Sequence, residues 1–564
     1  MSMPPRRSSK PAIALAVLLL LFGARLTHTA FEKSFTVDEP HYVGTGQYLW
    51  KTGDYDWYYT LLLHPPLAYH LASLPLLALD VEDLKVERLP GWHLVQRART
   101  PLVELRVASR LPFVLLACWG AVIVFLWTAE IAGAWAGVLA TFLFTFSPVV
   151  AAHAPLAHSD MAVSVFYFQT LYTFWRWWRS PALLRLLLCG LSLGLALATK
   201  MSAVLLLPTL AVMIAVLVWR PRGATAPDPG SPDRRRGSDG GGDGFSLGLG
   251  SSATALATIG VAALLVLWLA YGGSFRIERA ANGPFPGVSL PGYVHGLLVD
   301  QIVNDRSDRT FWFFGKLTAP AWYFLPVGFA LKTPLAVLLL ALGAALRWRV
   351  PPARAARLGL FLGIPAAVYA AVACFVLNVP LGVRFLLPLY PLLCVFIAVR
   401  LSDLGGRWQR VATGVCCAWL AIAGLAIHPH YLAYFNEAVG GPRRAHWYFA
   451  DSNLDWGQDI GTLADWLAER GNPPAHAALL STQLPEAYGI VAAPLDACAP
   501  VRDGLVAISA SVLHGLHDSG NYLRRPPPGC YDWLSAYEPV AMPGYSILVY
   551  DVGMSPPAPS APGR

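Results

Sequence analysis

Pro11-Ala-Ile-Ala-Leu-Ala-Val-Leu-Leu-Leu-Leu-Phe-Gly-Ala-Arg-Leu-Thr-His-Thr-Ala30, followed after four residues by Phe35-Thr-Val-Asp-Glu-Pro-His-Tyr42, decides how the rest of the chain is read. Twenty mostly apolar residues make a helix of about 30 Å, the thickness of a hydrocarbon core. Inside lipid every backbone N–H and C=O must find a partner in its own segment, so the run must be helical. Two adjacent carboxylates, Asp38 and Glu39, stand where the chain leaves the bilayer. Acidic groups at that depth cost free energy unless they are solvated, paired or used.

Ten further apolar windows follow, near 108–130, 133–152, 161–178, 182–200, 201–219, 252–272, 319–347, 357–377, 384–403 and 411–428. The 319–347 window is overlong and carries Lys332 and Pro334, so part of it is expected at the interface. Composition agrees: 55% of the 564 residues are hydrophobic and 13% charged, against about 25% charged in a soluble domain. The expectation is a mainly α, polytopic membrane protein of about eleven transmembrane helices.

Basic residues orient it. Arg6, Arg7 and Lys10, Arg176 to Arg185, Arg220 to Arg236, Arg347 to Arg357 and Arg400 to Arg410 fall on one side, which the positive-inside rule makes the cytoplasm. The net charge of +8 is thus a matter of orientation and lipid headgroups, and nucleic acid is not an expected partner. The basic head, apolar run and small residues of the first span also fit a signal peptide, but the downstream topology works with the span retained.

Residues 1–428 then form the membrane domain, with extracytoplasmic loops at 31–107 and 273–318 and a disordered Gly/Asp/Ser/Pro/Arg-rich cytoplasmic linker at 221–251. Residues 429–564 form a small extracytoplasmic α/β domain, with an amphipathic helix near 456–470 and strands at 505–509 and 545–550. Cys498 and Cys530 lie in that tail, where a disulfide can form.

Each polar signal has a plain alternative. Asp38 and Asp160, the latter opening the 161–178 window on the outer face, both suit helix N-caps. Arg384 at the outer start of a span can snorkel to the headgroups. Asp451, Asp455 and Asp459, spaced by four, would share a helix face and form either a solvated surface or a cation or sugar site. Tyr55 to Tyr59 and the other aromatic residues suit an interfacial belt.

The order of the motifs goes further. Asp38-Glu39, Leu63-His64-Pro65-Pro66-Leu67, the Ser147 to Phe166 stretch with Asp160, Gly190 to Lys200, Trp322 to Pro334, and Asn378-Val-Pro-Leu-Gly-Val-Arg-Phe-Leu-Leu-Pro388 follow one another along the chain. Together they resemble the GT-C glycosyltransferases that use polyprenyl-phosphate sugars, nearest in pattern to the protein O-mannosyltransferase-like group and the lipid A aminoarabinose transferases. Tyr434-Phe-Asn-Glu-Ala-Val-Gly-Gly441 and Asp451-Ser-Asn-Leu-Asp-Trp-Gly-Gln-Asp459 are similar to a signature of bacterial members. Aminoarabinose transferases carry an acidic residue and a lysine before the Pro-Pro pair. Here Leu63 and His64 stand there, and His-Pro-Pro fits the mannosyltransferase-like branch better.

The resemblance implies a catalytic carboxylate at Asp38, with Glu39 beside it and Asp160 as a second acidic residue. Sugar transfer needs a general base for the acceptor hydroxyl and cationic partners for the departing phosphate. Arg384 is the first candidate for the phosphate, followed by Lys332, His64, Arg306 and Arg309. Tyr42, Tyr58, Asp451 and Asp455 are candidates for sugar or acceptor binding. Direct displacement would invert the anomeric centre.

His41, His153, His158, His428 and His430 lie on the outer side without a metal-ligand spacing. No metal site is assigned, and a divalent cation is left open as cofactor. The expected partners are a polyprenyl-phosphate-linked sugar such as a mannosyl donor, membrane lipids, and an acceptor protein, lipid or glycan. The expected location is the inner (plasma) membrane, with the N-terminus cytoplasmic. The competing function is a transporter or lipid flippase using the outer carboxylates as cation sites; no matched broken halves favour it. An assembly protein with a partner-binding tail is the third class.

Overall fold

The computed structural model describes residues 9–55, 64–81, 99–219, 249–273, 277–279, 289–291, 293–294, 296–297, 310–346, 356–376, 382–402, 406–495, 498–517, 525–527 and 529–553. Each of the eleven apolar windows holds helix. The count of eleven full spans is not reproduced: among the described residues six helices are long and apolar enough to cross a membrane, or seven with one bent pair. The rest fall short for physical reasons. Ser159–Arg179 has the length, but its polar first turn and its Arg and Gln lower the hydropathy. Ala134–Phe146, Leu183–Leu197 and Leu389–Leu401 are shorter apolar helices.

The bent pair is Phe324–Lys332 and Leu335–Leu346, bent by 108° from a straight continuation. Pro334 causes the break. Proline disfavours helical backbone in the residue before it, and Thr333 takes φ −79°, ψ 130°. The overlong window is therefore two helices, with Lys332 at their elbow.

Loop 31–107 contributes helices Glu39–Thr52 and Leu67–Ser73, which pack side by side. Gly46 permits that approach: a Cβ there would meet the Tyr69 carbonyl oxygen at 2.0 Å. The long helix Leu102–Ala132 packs along the first span, Lys10–Glu32. Arg106 and Arg110 reach from it to the Ala30, Phe31, Lys33 and Ser34 carbonyls. The end of the first span thus has its unpaired carbonyls satisfied by arginine.

The C-terminal tail holds a four-stranded sheet in the order Ala493–Pro494, Ala475–Ala478, Leu505–Ser509, Ile547–Asp551. The first two pairings are parallel and the last antiparallel. Helix Ile460–Ala468 covers it through Ile460, Leu463 and Leu467, packed with Ala507, Ile547 and Val549. Cys498 and Cys530 are disulfide-bonded. One expectation fails: Asp451, Asp455 and Asp459 share no helix face, because Asp451–Asn453 is a 3-10 turn and the helix begins only at Ile460. Gly457 adopts φ +82° between them, which ends any continuous helix.

Candidate active site

Asp38 precedes helix Glu39–Thr52, yet its side chain makes no capping bond. The cap reading therefore fails, and the carboxylate points elsewhere. Its Oδ2 lies 3.4 Å from Arg384 Nη1 and 3.6 Å from His158 Nε2. His158 Nδ1 is 2.9 Å from Asp160 Oδ2, so the imidazole stands between the two carboxylates. Lys200 Nζ donates to Asp160 Oδ1, and Arg384 Nη1 is 3.7 Å from Asp160 Oδ2. Two carboxylates and two cations, drawn from four separate parts of the chain, form one cluster with His158 at its centre.

Exposure separates the carboxylates. The Asp38 side chain is 38% exposed and that of Asp160 3%. A substrate can reach Asp38; Asp160 is walled in by Lys200 and His158. Burial alone would raise the Asp38 carboxyl, but the nearby His158 imidazole and the Arg384 charge outweigh it and hold the group below the usual carboxylate range. Asp38 is thus ionised at neutral pH.

Glu39 differs from its neighbour. It is fully buried, and Arg110 grips it with both arms, Nε to Oε1 at 2.8 Å and Nη2 to Oε2 at 2.6 Å. The Thr36 and Ala157 N–H groups donate to the same carboxylate at 2.7 and 2.9 Å. With four donors on two oxygens, it has no acceptor position turned to a substrate. It ties the Asp38 loop to the Ala157-His158 turn.

The remaining candidates divide. His64 Nδ1 is buried without a hydrogen-bond partner among the described residues. Burial, with Lys200 and His158 nearby, pushes its pKa down to about 3, so the ring is neutral. Tyr42 is buried, stacks on Tyr69 at 4.4 Å, and shares a hydrogen bond with Ser159 Oγ at 3.0 Å. Lys332 donates to the Leu432 and Asn453 carbonyls and faces the Phe435 ring. Asp451 is partly exposed, with His517 Nε2 at 4.0 Å. Asp455 is buried and accepts from the Ser511 and Gly457 N–H groups at 2.8 and 3.3 Å. Tyr58, Arg306 and Arg309 lie outside the described residues.

Sequence reasoning passed over Lys200, His158 as a bridge, Arg110 and Trp456. Lys200 and Arg110 had a signal: both are basic residues at span ends that the basic-loop reading assigns to the outer side, against the positive-inside trend. For a metal the donor set is poor. Asp38 and Asp160 already face Arg384 and Lys200, so a cation between them would meet two positive charges. Among the described residues no group of three or more His, Cys, Asp or Glu is placed to hold a metal ion.

Residues 94–226 match the family model of the dolichyl-phosphate-mannose-protein mannosyltransferases. That stretch contains Arg110, His158, Asp160 and Lys200. No curated protein matches the sequence. Among solved structures the chain is similar to ArnT from Cupriavidus metallidurans bound to undecaprenyl phosphate, at 13% identity and TM-score 0.48, covering 98% of this chain and 100% of that one. It is also similar to the S. cerevisiae Pmt1-Pmt2 complex bound to the sugar donor, at 17% identity and TM-score 0.33, covering 47% and 33%. A third is AglB from Archaeoglobus fulgidus in complex with an inhibitory peptide and a dolichol-phosphate, at 15% and 0.41, covering 81% and 58%.

Proposed function

We propose that this chain is a GT-C membrane glycosyltransferase that moves a sugar, a hexose such as mannose, from a polyprenyl-phosphate donor to an acceptor on the extracytoplasmic side. The observation that carries this reading is the half-open Asp38 carboxyl with the Arg384 guanidinium 3.4 Å away. A base and an anion-binding group stand side by side where a headgroup would arrive.

In this mechanism the acceptor hydroxyl oxygen attacks the anomeric carbon and its proton passes to Asp38. The bond from that carbon to the phosphate oxygen breaks, and the electron pair leaves with the polyprenyl phosphate. Arg384 meets the growing charge, and neutral His64 donates a hydrogen bond beside it. The anomeric centre inverts. A strongly depressed carboxylate is a feeble base, and donor binding corrects this. When the phosphate pairs with Arg384 in place, its negative charge offsets the counter-charge felt by Asp38, and the basicity of the carboxylate rises.

Asp160 and Glu39 orient the apparatus, the first through His158 and Lys200, the second through Arg110. Tyr42, Tyr58 and Asp451 are assigned to the sugar and acceptor side, and Arg306 and Arg309 to the donor side; Asp455 and Lys332, buried with their polar atoms spent on backbone groups, act as supports of the 451–459 segment instead. The acceptor is a protein, lipid or glycan. Residues 1–428 form the catalytic membrane domain and 429–564 the extracytoplasmic domain. The chain sits in the inner (plasma) membrane with its N-terminus in the cytoplasm. The cation-site reading is disfavoured because both carboxylates already have cationic neighbours.

The test is release of polyprenyl phosphate from a radiolabelled polyprenyl-phosphate hexose by purified protein. Asp38→Asn is expected to abolish release while the variant elutes as a monodisperse folded species. Turnover at the wild-type rate in that variant would refute the base assignment, and no release by the wild type with any hexosyl donor would refute the enzyme class.

A further inference from the structure

The segment Asp451-Ser-Asn-Leu-Asp-Trp-Gly-Gln-Asp459 lies beyond the last span, and the transfer step above uses little of it. It nevertheless backs the Asp38 loop directly. The Val37 N–H donates to the Trp456 carbonyl and the Ser34 N–H to the Gln458 carbonyl, each at 2.9 Å. Two buried lysines pin the segment: Lys332 donates to the Asn453 carbonyl and Lys33 to Asp459. Asn453 Oδ1 in turn accepts from the Val383 N–H at 3.0 Å, one residue before Arg384. Gly382 sits against this contact at φ +108°, with space for a Cβ only 3.0 Å from Asn453 Oδ1.

The Trp456 side chain is buried at the centre. Arg384 Cζ lies 4.1 Å from its ring centroid, and the His158 ring meets it edge-on at 5.3 Å. The carboxylates lie 3.4 and 3.7 Å from Arg384, longer than the 2.7–2.9 Å or so of a tight charge-assisted bond. They attract the guanidinium, and the indole face lies under its charge.

We propose that Trp456 is a positioning residue of this site: its indole holds Arg384 and His158 where they meet a lipid phosphate and Asp38, and the strap 451–459 completes the site from the C-terminal region. The inference rests on the donor reading given above. Ordering the long arginine side chain before the donor arrives lowers the entropy lost on binding.

The experiment uses full-length protein in phosphatidylcholine nanodiscs, as wild type, Trp456→Phe and Trp456→Leu. Binding of undecaprenyl phosphate is measured first. Modification of Arg384 by phenylglyoxal is then followed by mass spectrometry without the lipid, with Arg110 as internal reference. Trp456→Leu is expected to bind about tenfold more weakly, within the range of a desolvated cation–π contact. Arg384 should become several-fold more reactive there while Arg110 does not change, and Trp456→Phe should restore both readouts. Wild-type affinity and wild-type Arg384 reactivity in Trp456→Leu would overturn the inference, as would equal acceleration at Arg110 or no rescue by Phe. If wild type fails to bind the lipid yet the reactivity pattern holds, the donor reading falls and the positioning role stands.

Discussion

Arg110→Met is the perturbation whose cost the structure fixes best. Arg110 is fully buried and donates to both Glu39 oxygens, at 2.8 and 2.6 Å. It also serves the Lys33, Ser34 and Ala30 carbonyls at 2.7, 2.8 and 3.3 Å. Removing one partner of a buried ion pair costs about 3–5 kcal/mol, because the other charge is left uncompensated. The carbonyls add roughly 1 kcal/mol each where they end up unpaired. Against this, Glu39 keeps the Thr36 and Ala157 N–H groups and the Ala30 carbonyl keeps Arg106, so the low end of the ion-pair range plus two carbonyls, about 5 kcal/mol, is expected.

Glu39→Gln should cost about 3 kcal/mol, since Arg110 keeps its carbonyls but loses its counter-charge. The double variant should cost at least about 2 kcal/mol less than the sum, because no buried charge is left alone. The assay is equilibrium unfolding in mixed micelles at pH 7, read as a double-mutant cycle. Burial alone would raise the Glu39 carboxyl, but the Arg110 charge and hydrogen bonds outweigh it and lower the pKa. A lowered folded pKa means that the stabilisation is complete above the unfolded value of about 4.3 and fades as pH falls below it. The coupling measured at pH 7 should therefore shrink in acid. An Arg110→Met variant within about 1 kcal/mol of wild type, or strict additivity in the cycle, would refute the reasoning.

Arg384→Ala should raise the apparent KM for the lipid-linked sugar more than it lowers kcat, and Arg384→Lys should not restore it, since a point charge lacks the planar fork; steady-state kinetics over donor concentration checks both. Burial raises the Asp455 carboxyl to about 7, so its ionisation destabilises the fold progressively as pH rises from about 4 to 7. Asp455→Asn should therefore gain in melting temperature relative to wild type between pH 5 and pH 8; a pH-independent difference would count against it. Alkaline phosphatase fused after residue 81 or residue 553 should be active, and after residue 219 inactive, if the Asp38 loop and the tail are extracytoplasmic.

Much of this protein could be read along the chain. Helix placement is a local matter: hydropathy and backbone satisfaction in lipid depend on consecutive residues, so every apolar window held helix. The apolar runs at 505–509 and 545–550 did form strands, the second shifted to Ile547–Asp551 because Tyr545 ends a 3-10 turn, whereas Pro334 by itself suggests only an interfacial segment and not the bend. The acidic pair and Asp160 were also visible, as carboxylates at span ends. The division between Asp38 and Glu39 was not, because adjacent residues of like chemistry carry the same local signal. Only packing turns one towards an opening and locks the other to Arg110, 71 positions away. Arg384 reaches Asp38 across 346 positions, and Trp456 arrives from the tail behind both. The sequence alone thus pointed to a helical membrane protein with carboxylates at its span ends. Which carboxylate is open, what stands opposite it, and that the tail backs the site were decided by tertiary contacts, since burial and charge pairing depend on distance in space, which hydropathy along the chain does not encode.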